Sequence, residues 1–171
     1  MPKERAEDAK TFSKPSRKEL DATSLQLLDL LQHDASLSLA ELAAAVNLSP
    51  TPCWRRIQKM ERDGIIERRV AILNPERLGF GLTVFVSIET GDHSHDWLDR
   101  NGGALAAFPE VAEMHRMAGD VDYLLRVVVA DMTAFDAFYK RLITVAPFKN
   151  VTSRFSMERI KVTTALPILA D

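Results

Sequence analysis

Six basic residues, Arg55, Arg56, Lys59, Arg62, Arg68 and Arg69, fall within residues 53–70, against three acidic ones, Glu61, Asp63 and Glu67. Gln58 lies among them. Arginine forms two bonds to guanine O6/N7 and glutamine does the same with adenine, each pair worth about 1–3 kcal/mol of base discrimination. A helix presenting Trp54, Arg55, Gln58, Lys59 and Arg62 away from its apolar side is thus equipped for the major groove. The plainer alternative is a small helical bundle with a solvated basic face. Two other groups invite a chemical reading. Asp92-His93-Ser94-His95-Asp96 looks like a metal cluster but lacks a further ligand at a defined spacing, and Asp96 suits a helix N-cap; no metal site is assigned. Cys53 could be a redox thiol near a helix N-terminus, yet its place at i, i+4, i+7 with Ile57 and Met60 marks it as a small buried hydrophobe. No phosphate-binding glycine loop, nucleophile elbow or paired carboxylates stand out, so nothing supports catalysis.

Three helices must position that basic row. Leu20, Ser24, Leu27, Leu28 and Leu31 recur on one helical face. Ser38 and Glu41 form a capping box for a second helix, Leu39 to Val46. Asn47 tolerates a left-handed backbone and serves as the stop. Ser49 at the N-cap and Pro50 at the first position open a third helix, which Gly64 ends near Arg62. Two helices separated by about four residues outline a helix-turn-helix. Ile65–Leu73 alternates apolar and charged residues, as a strand pair or wing would.

Beyond Leu78-Gly79-Phe80-Gly81 the periodicity changes. Strands are expected at Leu82–Glu89, Val111–Met117, Tyr123–Val129 and Val151–Val162. Helices are expected at Asp96–Phe108 and after an Asp131 N-cap, the latter with Phe135, Phe138, Tyr139 and Leu142 on one face. The order βαββαβ is ferredoxin-like, with two helices on one side of a four-stranded sheet. The other side needs cover, so dimerisation through the sheet is expected. The fold class is α+β, with divisions at 1–18 (flexible basic arm), 19–66 (helix-turn-helix), 67–80 (hinge strand and linker) and 81–171 (ferredoxin-like domain).

The chain has 171 residues, 46% hydrophobic and 27% charged, with a net charge of −2. Collagen-like and wholly disordered classes are excluded. The longest uncharged stretch, Leu42 to Trp54, is too short to span a bilayer, and the charged N-terminus lacks a secretory apolar run. One cysteine forms no internal disulfide. A cytoplasmic location is expected. Net charge hides an asymmetry: residues 1–80 hold 13 Lys+Arg and 12 Asp+Glu, residues 81–171 hold 9 and 12. A local basic face binds a polyanion because screening confines the interaction to about 8–10 Å.

Leu48–Ile57 (L-S-P-T-P-C-W-R-R-I), Glu61–Ile66 (E-R-D-G-I-I), Ala71–Pro75 (A-I-L-N-P) and Met117–Val127 (M-A-G-D-V-D-Y-L-L-R-V) resemble the leucine-responsive regulatory protein/AsnC family of bacterial transcription regulators. The resemblance spans about residues 19–168 and looks closest to the branch that activates cysteine detoxification in response to cysteine. It implies a winged helix-turn-helix reading double-stranded DNA, a hinge strand, and a domain binding a small amino acid, with cysteine or leucine as candidates. It also implies homodimers assembling to tetramers or octamers. By resemblance, Ser49, Thr51 and Pro52 open the recognition helix beside phosphate. Trp54, Arg55, Arg56 and Lys59 occupy its groove-facing and flanking turns, Trp54 replacing a smaller aliphatic side chain of the leucine-responsive members. The effector site is implied at Gly119, Asp120, Asp122 and Tyr123, with Thr152 and Ser153 as second contacts. Chemically, a glycine-containing turn offers N–H groups to a carboxylate and an aspartate accepts from an ammonium. The alternatives are a plain hairpin turn with Tyr123 as a packing residue and, for the whole chain, a metabolite-binding or enzymatic module with a helical interaction domain.

Overall fold

The computed structural model describes residues 20–91 and 95–169, without the side chains of residues 95, 96, 98 and 99. The N-terminal arm and the cluster at 92–96 therefore lie outside the described residues or side chains. The described residues fold into two units, one within 72–161 and the other formed by 20–71 together with 162–169.

In the first part of the chain, three helices follow the local signals: α1 (Ala22–His33), α2 (Leu39–Ala45) and α3 (Pro50–Arg62). Asp21 caps α1, its carboxylate accepting from the Ser24 N–H at 2.9 Å. Ser38 and Glu41 form the expected capping box. Asn47 takes φ 54°, the only non-glycine positive φ among the described residues, and turns the chain between α2 and α3. Gly64, at φ 72°, ends α3 where an L-residue would be strained. Leu27, Leu42, Ala43, Val46, Cys53, Ile57 and Met60 form the core of this unit. Such a small core is marginal on its own.

Residues 65–74 contain no strand. A strand exists only where a neighbour completes its hydrogen-bond ladder, and a single chain offers these residues none. Val70, Ile72 and Leu73 are left exposed. In the single chain the residues expected as a wing or hinge strand therefore form no ladder. A single 3-10 turn, Glu76–Leu78, follows it.

The second unit is βαββαβ: β1 (Leu82–Thr90), α4 (His95–Ala106), β2 (Val111–Arg116), β3 (Tyr123–Val129), α5 (Met132–Leu142) and β4 (Phe148–Phe155). The sheet order is β2-β3-β1-β4, with every pairing antiparallel. Val84, Val86 and Ile88 of β1 and Leu125 and Val127 of β3 point to one side. There they pack with Trp97 and Leu105 of α4 and Phe135, Phe138 and Leu142 of α5. The other side carries Phe85, Ser87, Leu124, Arg126, Thr152 and Arg154, as strand alternation requires.

Two expected boundaries are corrected. The last strand stops at Phe155, not Val162, because its partner runs out: Phe155 pairs with Val84 and Ser156 N–H bonds Thr83 O at 2.9 Å, close to where β1 begins. By contacts, residues 162–169 group with the helical unit. There Gln32 exchanges two hydrogen bonds with the Leu166 backbone, at 2.8 and 2.9 Å. Helix α4 opens at His95, so Asp96 stands inside it rather than before it.

Candidate DNA-reading and effector sites

Helix α3 is sharply two-faced. Cys53, Ile57 and Met60 are buried, and at 100° per residue the opposite side falls on Thr51, Arg55, Gln58 and Arg62, all exposed. Trp54 flanks this row and is 51% exposed, an unusual state for so large an apolar ring. Pro52 and Lys59 flank the other side, also exposed. Gln58 and Arg62 complete a row that an i, i+4, i+7, i+11 count from Thr51 reveals in the sequence. Ser49 sits at the N-cap with its side chain making no capping bond, so its hydroxyl remains available beside the helix start.

The cations differ in their engagements. Lys59 Nζ meets Asp63 at 2.5 Å, and Arg69 meets Glu61 at 2.9 Å. Gln58 donates to the other Glu61 oxygen at 2.7 Å. Exposed pairs held by a single contact of this kind contribute about 0–1 kcal/mol, so a phosphate displaces the carboxylate at small cost. Arg55 and Arg68 have no carboxylate partner among the described residues. Arg56 alone turns toward α1: its Nη1 donates to both oxygens of Asp21, at 2.7 and 2.9 Å, and to Ser24 Oγ at 3.1 Å. Cys53 is fully buried, and burial pushes its thiol pKa up, the reverse of a reactive thiolate.

In the sheet unit, Met117–Asp122 connects β2 to β3 and is closed by Met117 N–H to Asp122 O at 2.8 Å. Gly119 has φ 131°, open to glycine and strained for other residues. Asp120 is exposed. Asp122 is differently placed: its Oδ2 accepts from the Thr90 N–H at 2.6 Å and the Thr90 hydroxyl at 3.0 Å, across the register shift at Glu89/Thr90. Tyr123 is 5% exposed and stacks on Trp97, ring centroids 5.3 Å apart. Thr152 and Ser153 do not form one contact surface. Thr152 pairs with Ser87 on the open side, whereas Ser153 pairs with Val86 and lines a groove with Met132, Phe135, Asp136 and Tyr139 on the helix side. Strand β4 also lies beyond β1 from β3, roughly 10 Å away. One chain therefore brings Gly119 and Asp120 together but does not assemble the six expected effector residues into one site.

A helix-turn-helix with an exposed basic recognition face, followed by a ferredoxin-like domain with one uncovered sheet side, defines a DNA-binding regulator with an attached ligand domain. Comparison with known proteins places it. Residues 20–67 match the family description "winged helix-turn-helix DNA-binding", and residues 83–166 match the Lrp/AsnC ligand binding domain. The chain belongs to the Lrp/AsnC family and is a DNA-binding transcription regulator. It is 53% identical over 150 residues to the DNA-binding transcriptional activator DecR of Escherichia coli K12, covering 87% of this chain and 99% of that protein. The crystal structure of an AsnC family transcriptional regulator from Agrobacterium tumefaciens superposes with a TM-score of 0.84 at 55% identity, covering 87% of this chain and 97% of that one. That of the Neisseria meningitidis regulator NMB0573 in complex with L-Met gives 0.82 at 33%, with the same coverage. These relatives are regulators, not enzymes. No helix among the described residues is long and apolar enough to cross a membrane.

Proposed function

We propose that α3 reads operator DNA through Thr51, Arg55, Gln58 and Arg62, with Trp54 against a thymine methyl or sugar edge. Ser49, Pro52, Lys59 and Arg68 lie along the phosphates. The carrying observation is that exposed row opposite buried Cys53, Ile57 and Met60. Bidentate arginine and glutamine contacts supply the sequence reading, and phosphate contacts fix the register.

The amino-acid effector is held at the Gly119-Asp120 loop, with loop N–H groups on its carboxylate and Asp120 on its ammonium. Cysteine is the favoured effector, supported by 53% identity to an activator of the branch the sequence resembles; leucine is the alternative. The uncovered sheet side joins two chains into a dimer, and dimers assemble further to complete the effector site. The protein acts in the cytoplasm.

The test is anisotropy titration of a duplex selected by the unmodified chain from a random pool, with and without cysteine and leucine. Binding with a log–log salt slope of about −0.9 per phosphate contacted, shifted by one amino acid and not by the other, supports the reading. Salt-insensitive or absent binding overturns it.

A further inference from the structure

Arg56 is the basic residue of α3 that reaches another helix, its side chain 37% exposed. It lies one position before buried Ile57, on the flank of the helix next to α1. Its Nη1 spans both Asp21 oxygens and the hydroxyl of Ser24, which is 6% exposed. The same Asp21 carboxylate caps α1 through the Ser24 N–H. One carboxylate thus ties the first turn of α1 to the second turn of α3, across 35 positions of sequence.

We infer that Arg56 is a positioning residue for DNA reading: clamped by Asp21 and Ser24, it fixes the rotation of α3 about its own axis and makes no phosphate contact. Three buried side chains, Cys53, Ile57 and Met60, hold α3 against the core along one line. Apolar contacts are non-directional and set the rotation of the helix less sharply than a directional bond does. A charge-assisted clamp on the flank is directional and opposes a roll of the helix. Bidentate base contacts require placement within about 0.5 Å and 10–20°, so a small roll at Arg56 is felt by Arg55 and Gln58. A cation already paired inside the protein releases no counterion from DNA, so it leaves no trace in the salt slope.

The inference rests on α3 being the groove helix, and the experiment separates the two. The full-length chain is titrated by anisotropy against the selected duplex and a shuffled duplex of equal length, over a series of salt concentrations. Arg56→Ala, Arg56→Lys and Asp21→Asn each weaken binding to the selected duplex about three- to tenfold and change the shuffled duplex less than about twofold. Asparagine keeps the N-cap of α1, so the fold is retained. The salt slope stays that of the parent, and Arg56→Ala combined with Asp21→Asn is no weaker than the singles by more than about twofold. A slope reduced by about one in Arg56→Ala, or an Asp21→Asn variant that binds as tightly as the parent or more so, overturns the clamp. Arg55→Ala in the same titration tests the groove. If it binds like the parent, α3 is not the reading helix; if it loses affinity while Asp21→Asn does not, only the clamp falls.

Discussion

Of the two carboxylates in the β2–β3 connection, Asp122 is committed within the chain, accepting from the Thr90 N–H and hydroxyl, while Asp120 stands exposed. Their variants separate accordingly. Asp122→Ala removes the two hydrogen bonds that its carboxylate accepts from Thr90 and lowers the unfolding free energy by about 1–3 kcal/mol in a denaturant titration. Asp120→Ala changes stability by less than about 0.5 kcal/mol but removes most of the calorimetric heat of amino-acid binding. Equal heats for Asp120→Ala and the parent would take that carboxylate out of the effector site. Arg55→Ala costs about 1–3 kcal/mol of operator affinity and relaxes preference at one base pair. The fully buried Cys53 behaves in the opposite manner to a sensor thiol. It reacts with an aromatic disulfide reagent only at the rate of unfolding, and rapid modification of the native protein would contradict this.

At the scale of elements, stability in acid reports the α1 cap. The Asp21 pKa is lowered from its usual value of 3.8 to about 2, first by hydrogen bonds from the Ser24 side chain and backbone, then by Arg56. A depressed carboxylate contributes stability that is complete above its unfolded value and lost as pH falls through the folded one, here between about pH 4 and pH 2. With the Asp21 side chain 53% exposed, solvent screening limits the effect to about 1 kcal/mol or less. Asp21→Asn therefore lowers stability at about pH 5 and hardly at all near pH 2, read by denaturant midpoints. An equal loss at both pH values would mean that the charge is irrelevant. Elements with local punctuation were legible in the sequence: the Ser38–Glu41 box, the left-handed Asn47, Pro50, Gly64 and the Asp131 cap, whose carboxylate accepts from Ala134 N–H. What escaped depends on distant partners. The direction of Arg56 is set by Asp21, the engagement of Asp122 by Thr90, and the end of β4 by the start of β1. The opposed faces of Thr152 and Ser153 follow from the two-residue period of the strand expected at Val151–Val162, and grouping both into one site overlooked that period. Residues 65–74 carry the alternation of a strand without a neighbour to pair with, and pairing is not a property of one segment.

At the scale of the whole molecule, the proposed dimer rests on the apolar surface left open. Phe85 stands 38% exposed between Val84 and Val86, both fully buried on the helix side. Leu124 and Val128 share its open side, bordered by the Glu113–Arg126 ion pair at 2.7 Å. Val70, Ile72, Met157 and Ile160 are each at least 60% exposed. Exposed apolar side chains on the open sheet face suit an interface, and a two-fold contact through the sheet would be self-complementary. The proposed dimer would matter for reading DNA because its two recognition helices would address half-sites about one helical turn apart, about 34 Å. Once one helix is bound, the second meets its half-site at a high effective concentration. A charge at the centre of the open side breaks this arrangement without touching α3: Phe85→Asp is expected to sediment as a monomer. Its affinity for a two-half-site duplex falls by about 100-fold or more, while its affinity for a single half-site changes little. If Phe85→Asp remains dimeric and binds as the parent does, the copies meet through another surface, and the exposed segments at 67–74 and 157–162 become the next place to introduce charge.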